Sequence, residues 1–276
     1  MNVFSGPAHD LVSCFLEEVD RRLPGELTGL FLHGSVVWGE FFAGSDLDFV
    51  ALWDQLPADE RLDEIQAAHE QVLRQFPTPT FDGFHCTAAD LAASPASIDD
   101  RPVIYEGSFN AKGRTDINLV TWHELALGPV IIRGQVPEIY TNLPELLAFT
   151  RNNLDTYWRG IADQVAAAGV TTVGEQDDAV AWIALGAARL HHLLSQQELT
   201  SKSGAGRYII ERLDVRWAPI AQEALRIRED PDSPSLYTDH GKRGQDTHDL
   251  LTWFIEDGLA LPAHPVGERD IAVDAS

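Results

Sequence analysis

The chain has 276 residues, 44% hydrophobic and 23% charged, as expected for a globular protein of one large or two ordinary domains. Its formal net charge of −23 disfavours nucleic acid as a partner, because phosphate backbones require a basic surface. Two cysteines exclude a disulfide framework and a cysteine-based zinc site, and no apolar run could span a membrane, so we expect a cytoplasmic protein without a membrane partner.

The first elements in chain order are a helix and two strands joined by a glycine-serine turn. Apolar residues at helical spacing predict a helix over residues 10–22. Residues 30–52 are typical of a strand, a turn at Gly34-Ser35, a short connector and a second strand. Asp46 and Asp48 lie two positions apart on that second strand, and a period of two places both carboxylates on one face.

This stretch combines an anion cradle with a pair of carboxylates. Gly34 allows close approach of the backbone to a ligand, and Ser35 adds a hydroxyl and an N–H. Two adjacent carboxylates repel each other, and Mg²⁺ relieves that repulsion while binding substrate phosphates. Either half alone is typical of an ordinary turn or of exposed strand residues. Together they favour a nucleotidyl-transfer site.

The spacing of these residues resembles that of a known superfamily. Gly34-Ser35, ten residues and then Asp46-Leu47-Asp48 resemble the signature of DNA-polymerase-beta-like nucleotidyltransferases. Ser45 before the first aspartate is similar to the version in aminoglycoside nucleotidyltransferases of the streptomycin/spectinomycin adenylyltransferase type. The resemblance implies an α+β fold, with an N-terminal mixed-sheet nucleotidyltransferase domain and a C-terminal all-α helix bundle. It also implies ATP as co-substrate and two Mg²⁺ ions, with Asp46 and Asp48 as metal ligands and Gly34, Ser35 and Ser45 at the nucleotide.

The next segment supplies a third carboxylate. Residues 57–76 have helical periodicity, and residues 78–86 are typical of a strand that carries Asp82, with Thr87 capping a short helix after it. The resemblance implies a third acidic residue on such a strand, so Asp82 is expected to bind metal or act as general base. Aminoglycoside enzymes of this type often have Glu at the comparable position, and Asp is shorter by one methylene. The alternative is an ordinary aspartate in a turn with Gly83.

Residues 95–140 have a weaker pattern. We expect strands at residues 103–105 and 117–120, a helix capped by Thr121, and an irregular connector over residues 130–140. The predicted domains are 1–142 and 143–262, followed by a disordered tail at 263–276. The second domain should contain helices near residues 144–168, 175–197, 201–213, 217–228 and 245–259.

Four residues of the predicted bundle are candidates for ligand contacts. Arg189 and Lys202 look like the Arg and Ser-Lys positions that streptomycin/spectinomycin adenylyltransferases associate with the nucleotide phosphates. Asp177 and Asp178 begin the helix that carries Arg189, and we expect them to bind a cationic acceptor. The alternative is that they only stabilise the helix N-terminus through its dipole.

The resemblance therefore implies an aminoglycoside O-nucleotidyltransferase that transfers AMP from ATP to a hydroxyl of spectinomycin or streptomycin. Asp82 would accept the proton of the attacking hydroxyl. Two alternatives stay open at this point: a nucleotidyltransferase for another acceptor, such as a protein hydroxyl or a metabolite, and a non-catalytic nucleotide-binding protein with the same fold.

Overall fold

The structure, a computed structural model, describes residues 6–42 and 44–262. The chain divides into two compact units, Met1–Thr141 and Asn142–Ser276. The first unit is built of helices and a mixed sheet and the second of helices, so the predicted α+β fold class is confirmed. The predicted disordered tail at residues 263–276 lies outside the described residues.

The first unit begins with helix α1 (Pro7–Arg22), and its strands form one mixed sheet. The remaining elements are β1 (Leu27–His33), β2 (Leu47–Trp53), α2 (Glu60–Gln75), β3 (Phe81–Thr87), α3 (Ala88–Leu91), β4 (Arg101–Tyr105), β5 (Ser108–Gly113), α4 (Leu119–Leu127) and β6 (Val130–Arg133). The order across the sheet is β5-β4-β3-β2-β1-β6. Strands β2 and β3, which α2 connects, are parallel, and the other neighbouring pairs are antiparallel.

Strand β2 is covered on both faces, and its alternating side chains enter two different cores. Phe49 and Trp53 pack in one core with residues of α1 and α2. Val50 and Leu52 pack in the other core with Trp122 of α4. Because side chains alternate along a strand, Asp48 belongs to the face of Val50 and Leu52, at the end of β2 that pairs with His33. The fold thereby places a carboxylate at the rim of a buried sheet.

A chain of buried rings links β2, β3 and α2 within the first core. The indole N–H of Trp53 donates to His85 Nδ1 at 3.1 Å, and His85 Nε2 lies 3.0 Å from His69 Nε2. Since an indole N–H only donates, His85 Nδ1 accepts, its proton is on Nε2, and His69 accepts in turn at Nε2. Burial lowers the pKa of His85 to about 3 and the pKa of His69 well below its ordinary value. Both histidines are therefore neutral in the folded protein.

The second unit is a bundle organised around one long helix. Helix α8 (Asp177–Gln196) is largely buried along Val180, Ala184 and Ala188, and it packs against α5, α9, α10 and α11. The other elements are α5 (Leu143–Asn153), a π-helical segment (Leu154–Trp158), α6 (Arg159–Ala168), α7 (Val170–Gly174), α9 (Lys202–Arg212), a 3₁₀ turn (Val215–Trp217), α10 (Ala218–Glu229) and α11 (His240–Ala260). Across the described residues, none of the helices combines the length and apolarity needed to cross a bilayer.

Three local predictions between residues 95 and 140 were wrong. Residues 117–120 are not a strand, because Asn118 accepts hydrogen bonds from Val120 N and Thr121 N and begins α4. Thr121 is therefore inside the helix rather than its cap. The expected irregular connector contains β6, which pairs with β1. The Thr87 cap is confirmed, since its side chain accepts from Asp90 N and forms a capping box with Asp90.

Candidate functional site

The turn after β1 brings a glycine backbone directly onto the Asp48 carboxylate. Gly34 has a φ of +65°, in the left-handed region that favours glycine, and begins a single 3₁₀ turn ending at Val36. A Cβ at Gly34 would overlap Asp48 Oδ2. The glycine is therefore required twice, for its backbone conformation and for the space it leaves to a carboxylate.

Three residues on adjacent strands line up across the sheet. His33 of β1 pairs with Asp48 of β2 in the antiparallel register, and Asp48 pairs with Asp82 of β3 in the parallel register. Asp48 and Asp82 therefore share one face of the sheet at the same level. A Cβ at Gly83 would overlap the Phe49 carbonyl oxygen, so glycine beside Asp82 permits the close approach of β2 and β3.

Asp46 and the two candidate serines lie in the loops around this row. Asp46 is exposed, one residue before β2, and Thr80 Oγ1 donates to its Oδ1 at 2.6 Å. The hydroxyl of Ser45 accepts from Phe42 N at 3.1 Å and holds the loop before Asp46. The hydroxyl of Ser35 is buried and forms no hydrogen bond with any of the described residues. Ser35 is thus the serine with unused hydrogen-bonding capacity.

A buried group of charges lies behind Asp48. His33 is buried, and its Nδ1 is 3.5 Å from Glu124 Oε2 of α4. Burial alone would lower the pKa of His33, but the carboxylates of Glu124, Asp48 and Asp116 raise it. Burial raises the pKa of Asp48 to about 7, assisted by Asp116, Glu124 and Asp46 and opposed by His33. The carboxylates around His33 therefore bring more negative charge than His33 can balance.

Asp82 is buried and hydrogen-bonded to the turn between β4 and β5. The main-chain N–H of Glu106 donates to Asp82 Oδ1 at 3.0 Å. Burial raises the pKa of Asp82 to about 6, partly offset by the hydrogen bond from the Glu106 N–H. A carboxylate with a pKa near 6 is ionised at neutral pH and still basic enough to accept a proton.

The donors at this end of the sheet fit Mg²⁺. They are carboxylate oxygens, the ligands of a hard cation, and a cation would favour the ionised form of Asp48 that burial disfavours. Within residues 6–42 and 44–262, no group of three or more His, Cys, Asp or Glu side chains is placed to hold a metal ion. Mg²⁺ is commonly bound by one or two carboxylates together with substrate phosphates and water.

The remaining predicted residues belong to the second unit. Arg189 lies on α8, and its buried Nε has no hydrogen-bond partner among the described residues. Lys202 is the first residue of α9, whose N-cap Ser201 accepts from Gly204 N. Both cations are thus positioned by helices, and Arg189 retains an unused donor.

The two candidate acceptor-binding aspartates have different surroundings. Asp177 lies 2.7 Å from Arg243 Nη1 and 3.1 Å from Arg226 Nη2. These arginines also contact the buried Glu223, so Asp177 is the exposed member of an ion-pair network. None of the described residues forms an ion pair with the exposed Asp178. The charge of Asp177 is therefore largely compensated, whereas the charge of Asp178 is not.

The chain is similar to known proteins in structure. No family model matches the chain, and no curated protein sequence matches it. Among solved structures, the crystal structure of spectinomycin adenyltransferase AAD(9) from Enterococcus faecialis with ATP and spectinomycin is similar, with a TM-score of 0.62. The similarity covers 88% of this chain and 99% of that chain at 12% sequence identity. The two chains share a fold. The resemblance stated from the sequence is confirmed at the level of the fold.

Sequence reasoning missed His33, Asp116, Glu124 and Glu106. His33 directly precedes the Gly34-Ser35 turn, and that position was the available signal. Asp116 and Glu124 lie in a stretch whose secondary structure was misassigned in part. Glu106 acts through its main-chain N–H, which no side-chain pattern reveals.

Proposed function

We propose that this protein is a nucleotidyltransferase that transfers AMP from ATP to a hydroxyl of an aminoglycoside such as spectinomycin or streptomycin. The observation that carries the proposal is the row His33, Asp48 and Asp82 beside the Gly34-Ser35 turn. It occurs on a fold similar to that of a spectinomycin adenyltransferase crystallised with ATP and spectinomycin.

In this proposal the first unit holds the nucleotide. Asp46 and Asp48, with Asp82 beside them, would hold Mg²⁺, and the ion would supply positive charge against the triphosphate. The unpaired Ser35 hydroxyl suits a phosphate oxygen, and Gly34 leaves the space that the Asp48 carboxylate occupies beside it. Ser45 contributes by holding the loop before Asp46.

The other four candidate residues lie in the second unit. Arg189 and Lys202 are proposed to contact phosphate, and the unpartnered Nε of Arg189 supports this role. Asp177 and Asp178 remain the candidates for a cationic acceptor. The compensated charge of Asp177 makes Asp178 the stronger of the two.

Asp82 is the proposed general base. The acceptor hydroxyl oxygen attacks the α-phosphorus, its proton passes to Asp82, and the bond from the α-phosphorus to the pyrophosphate oxygen breaks. The pKa of Asp82 is raised to about 6, so its carboxylate is a stronger base than that of an ordinary aspartate. The rest of the catalytic effect comes from holding the reactants in line.

The test is an acceptor panel incubated with ATP and Mg²⁺, analysed by mass spectrometry. Spectinomycin or streptomycin should gain one AMP group, and pyrophosphate should be released in equal amount. The panel should also contain protein hydroxyls and small metabolites. If a protein hydroxyl or a metabolite is labelled and no aminoglycoside is, the protein is a nucleotidyltransferase but the proposed acceptor is wrong. If nothing is labelled, the proposed catalytic activity is refuted.

A further inference from the structure

The turn between β4 and β5 has an unusual backbone. Tyr105 pairs with Ser108, which leaves Glu106 and Gly107 as a two-residue hairpin turn. Both turn residues have positive φ, +48° for Glu106 and +72° for Gly107. Positive φ at both positions is the geometry of a type I′ turn, which favours Asn, Asp or Gly at the first position. Glutamate there is strained, and its exposed side chain gains nothing from burial.

The strained residue makes a hydrogen bond that the sheet does not provide. The β3–β4 ladder pairs Gly83 with Ile104, so Asp82 lies one residue beyond it, towards the hairpin turn. At that level the Glu106 N–H donates to Asp82 Oδ1 at 3.0 Å. One oxygen of the carboxylate is thereby fixed. Backbone strain that persists beside a reactive group is typical of functional sites.

We propose that Glu106 is a positioning residue, whose main-chain N–H orients the Asp82 carboxylate for accepting the proton of the attacking hydroxyl. This inference rests on the proposed function. It assigns the role to the turn conformation and to one N–H, and none to the glutamate carboxylate. Residues that adopt positive φ easily and keep the N–H should therefore replace Glu106, and proline should not.

The first test compares three replacements at one position. Glu106→Gly and Glu106→Asn keep the N–H and suit the turn, so kcat should stay within about threefold of wild type. Glu106→Pro lacks the N–H and cannot adopt positive φ, so kcat should fall by roughly tenfold or more, while KM for ATP changes little. Ala111→Pro is the matched control: Ala111 is exposed on the edge strand β5 of the same hairpin, and kcat should be retained.

The second test measures the hydrogen bond without any catalysis. In the metal-free protein, NMR should show that Asp82→Ala accelerates amide exchange of Glu106 by about tenfold or more, because the acceptor is removed. Asp46→Ala should leave that exchange rate unchanged.

Three results would overturn the inference: unchanged exchange in Asp82→Ala, wild-type kcat in Glu106→Pro, or loss of kcat in Glu106→Gly equal to that in Glu106→Pro. A wild-type chain that transfers no nucleotide to any acceptor would instead refute the proposed function. Amide exchange then decides whether the turn holds Asp82.

Discussion

The buried histidine pair predicts how the first unit responds to acid. Replacing His85 by Gln removes one of two histidines that the fold keeps neutral. In the unfolded chain a histidine has a pKa near 6.5 and takes up a proton as the pH falls below that value. The stability due to a neutral His85 is therefore complete above about pH 6.5 and is lost as the pH falls towards the folded pKa of about 3.

The size of the effect follows from these two pKa values. Between pH 7 and pH 5 an unfolded histidine gains about 2 kcal/mol from proton binding, and folded His85 gains almost nothing. Other titrating groups of the site also change the stability of the first unit with pH, so the wild-type pH profile alone does not isolate the contribution of His85. The difference between the profiles of wild type and His85→Gln does isolate it. We expect His85→Gln to lose about 2 kcal/mol less stability over this pH interval.

The variant Asp48→Asn should change the profile in the opposite direction. The pKa of Asp48 is raised to about 7 in the fold, so the folded carboxylate binds a proton between pH 7 and pH 5 and the unfolded one does so far less. That uptake contributes about 2 kcal/mol in favour of the fold at the lower pH. Without it, acidification should cost Asp48→Asn about 2 kcal/mol more than it costs wild type.

Hydrogen–deuterium exchange mass spectrometry of peptides from β2 and β3, in metal-free buffer, measures the opening free energy of this unit. Rates are corrected for the intrinsic pH dependence of exchange. His9→Gln is the control, because His9 is exposed on α1 and its replacement should leave the wild-type profile. If His85→Gln has the wild-type pH dependence, the assignment of a neutral buried His85 is refuted.

Three further predictions concern the site. Gly34→Ala should lower turnover by roughly 10²-fold or more, because the new Cβ displaces Asp48. Gly25→Ala is its control: Gly25 also has positive φ but has open space around it, so the replacement should cost only about 1 kcal/mol of stability in thermal unfolding. Asp82→Asn should lower turnover by about 10²- to 10⁴-fold while calorimetry still detects ATP binding, and Asp82→Glu should retain measurable activity. Asp46→Asn should keep the circular dichroism spectrum and lose Mg²⁺-dependent ATP binding; unchanged affinity would remove it from the metal site.

The central part of the fold was predictable because its signals are local. The Gly34-Ser35 turn, the alternating strand with Asp48 and the cap at Thr87 each lie within a few residues of sequence. The parallel pairing of β2 and β3 follows from the helix between them. Short apolar runs were less informative: residues 117–120 fit a strand or a helix, and the cap at Asn118 decides for the helix.

The rest depends on contacts between distant parts of the chain. From the sequence alone, Asp177 at the start of a helix is interpreted as an unpaired carboxylate. Its ion pair with Arg243 forms only in the folded chain. The contacts of His33 with Glu124 and of Asp82 with Glu106 are likewise long-range. Strand β5 was missed because an exposed edge strand has little apolar alternation to detect.

The most direct test of the account is the mass of spectinomycin and streptomycin after incubation with ATP, Mg²⁺ and either wild type or Asp48→Asn. The account predicts that wild type adds one AMP group to at least one of them and that Asp48→Asn, with the wild-type fold by circular dichroism, adds none. Equal AMP transfer by wild type and Asp48→Asn, or no transfer by wild type to either compound, would contradict it.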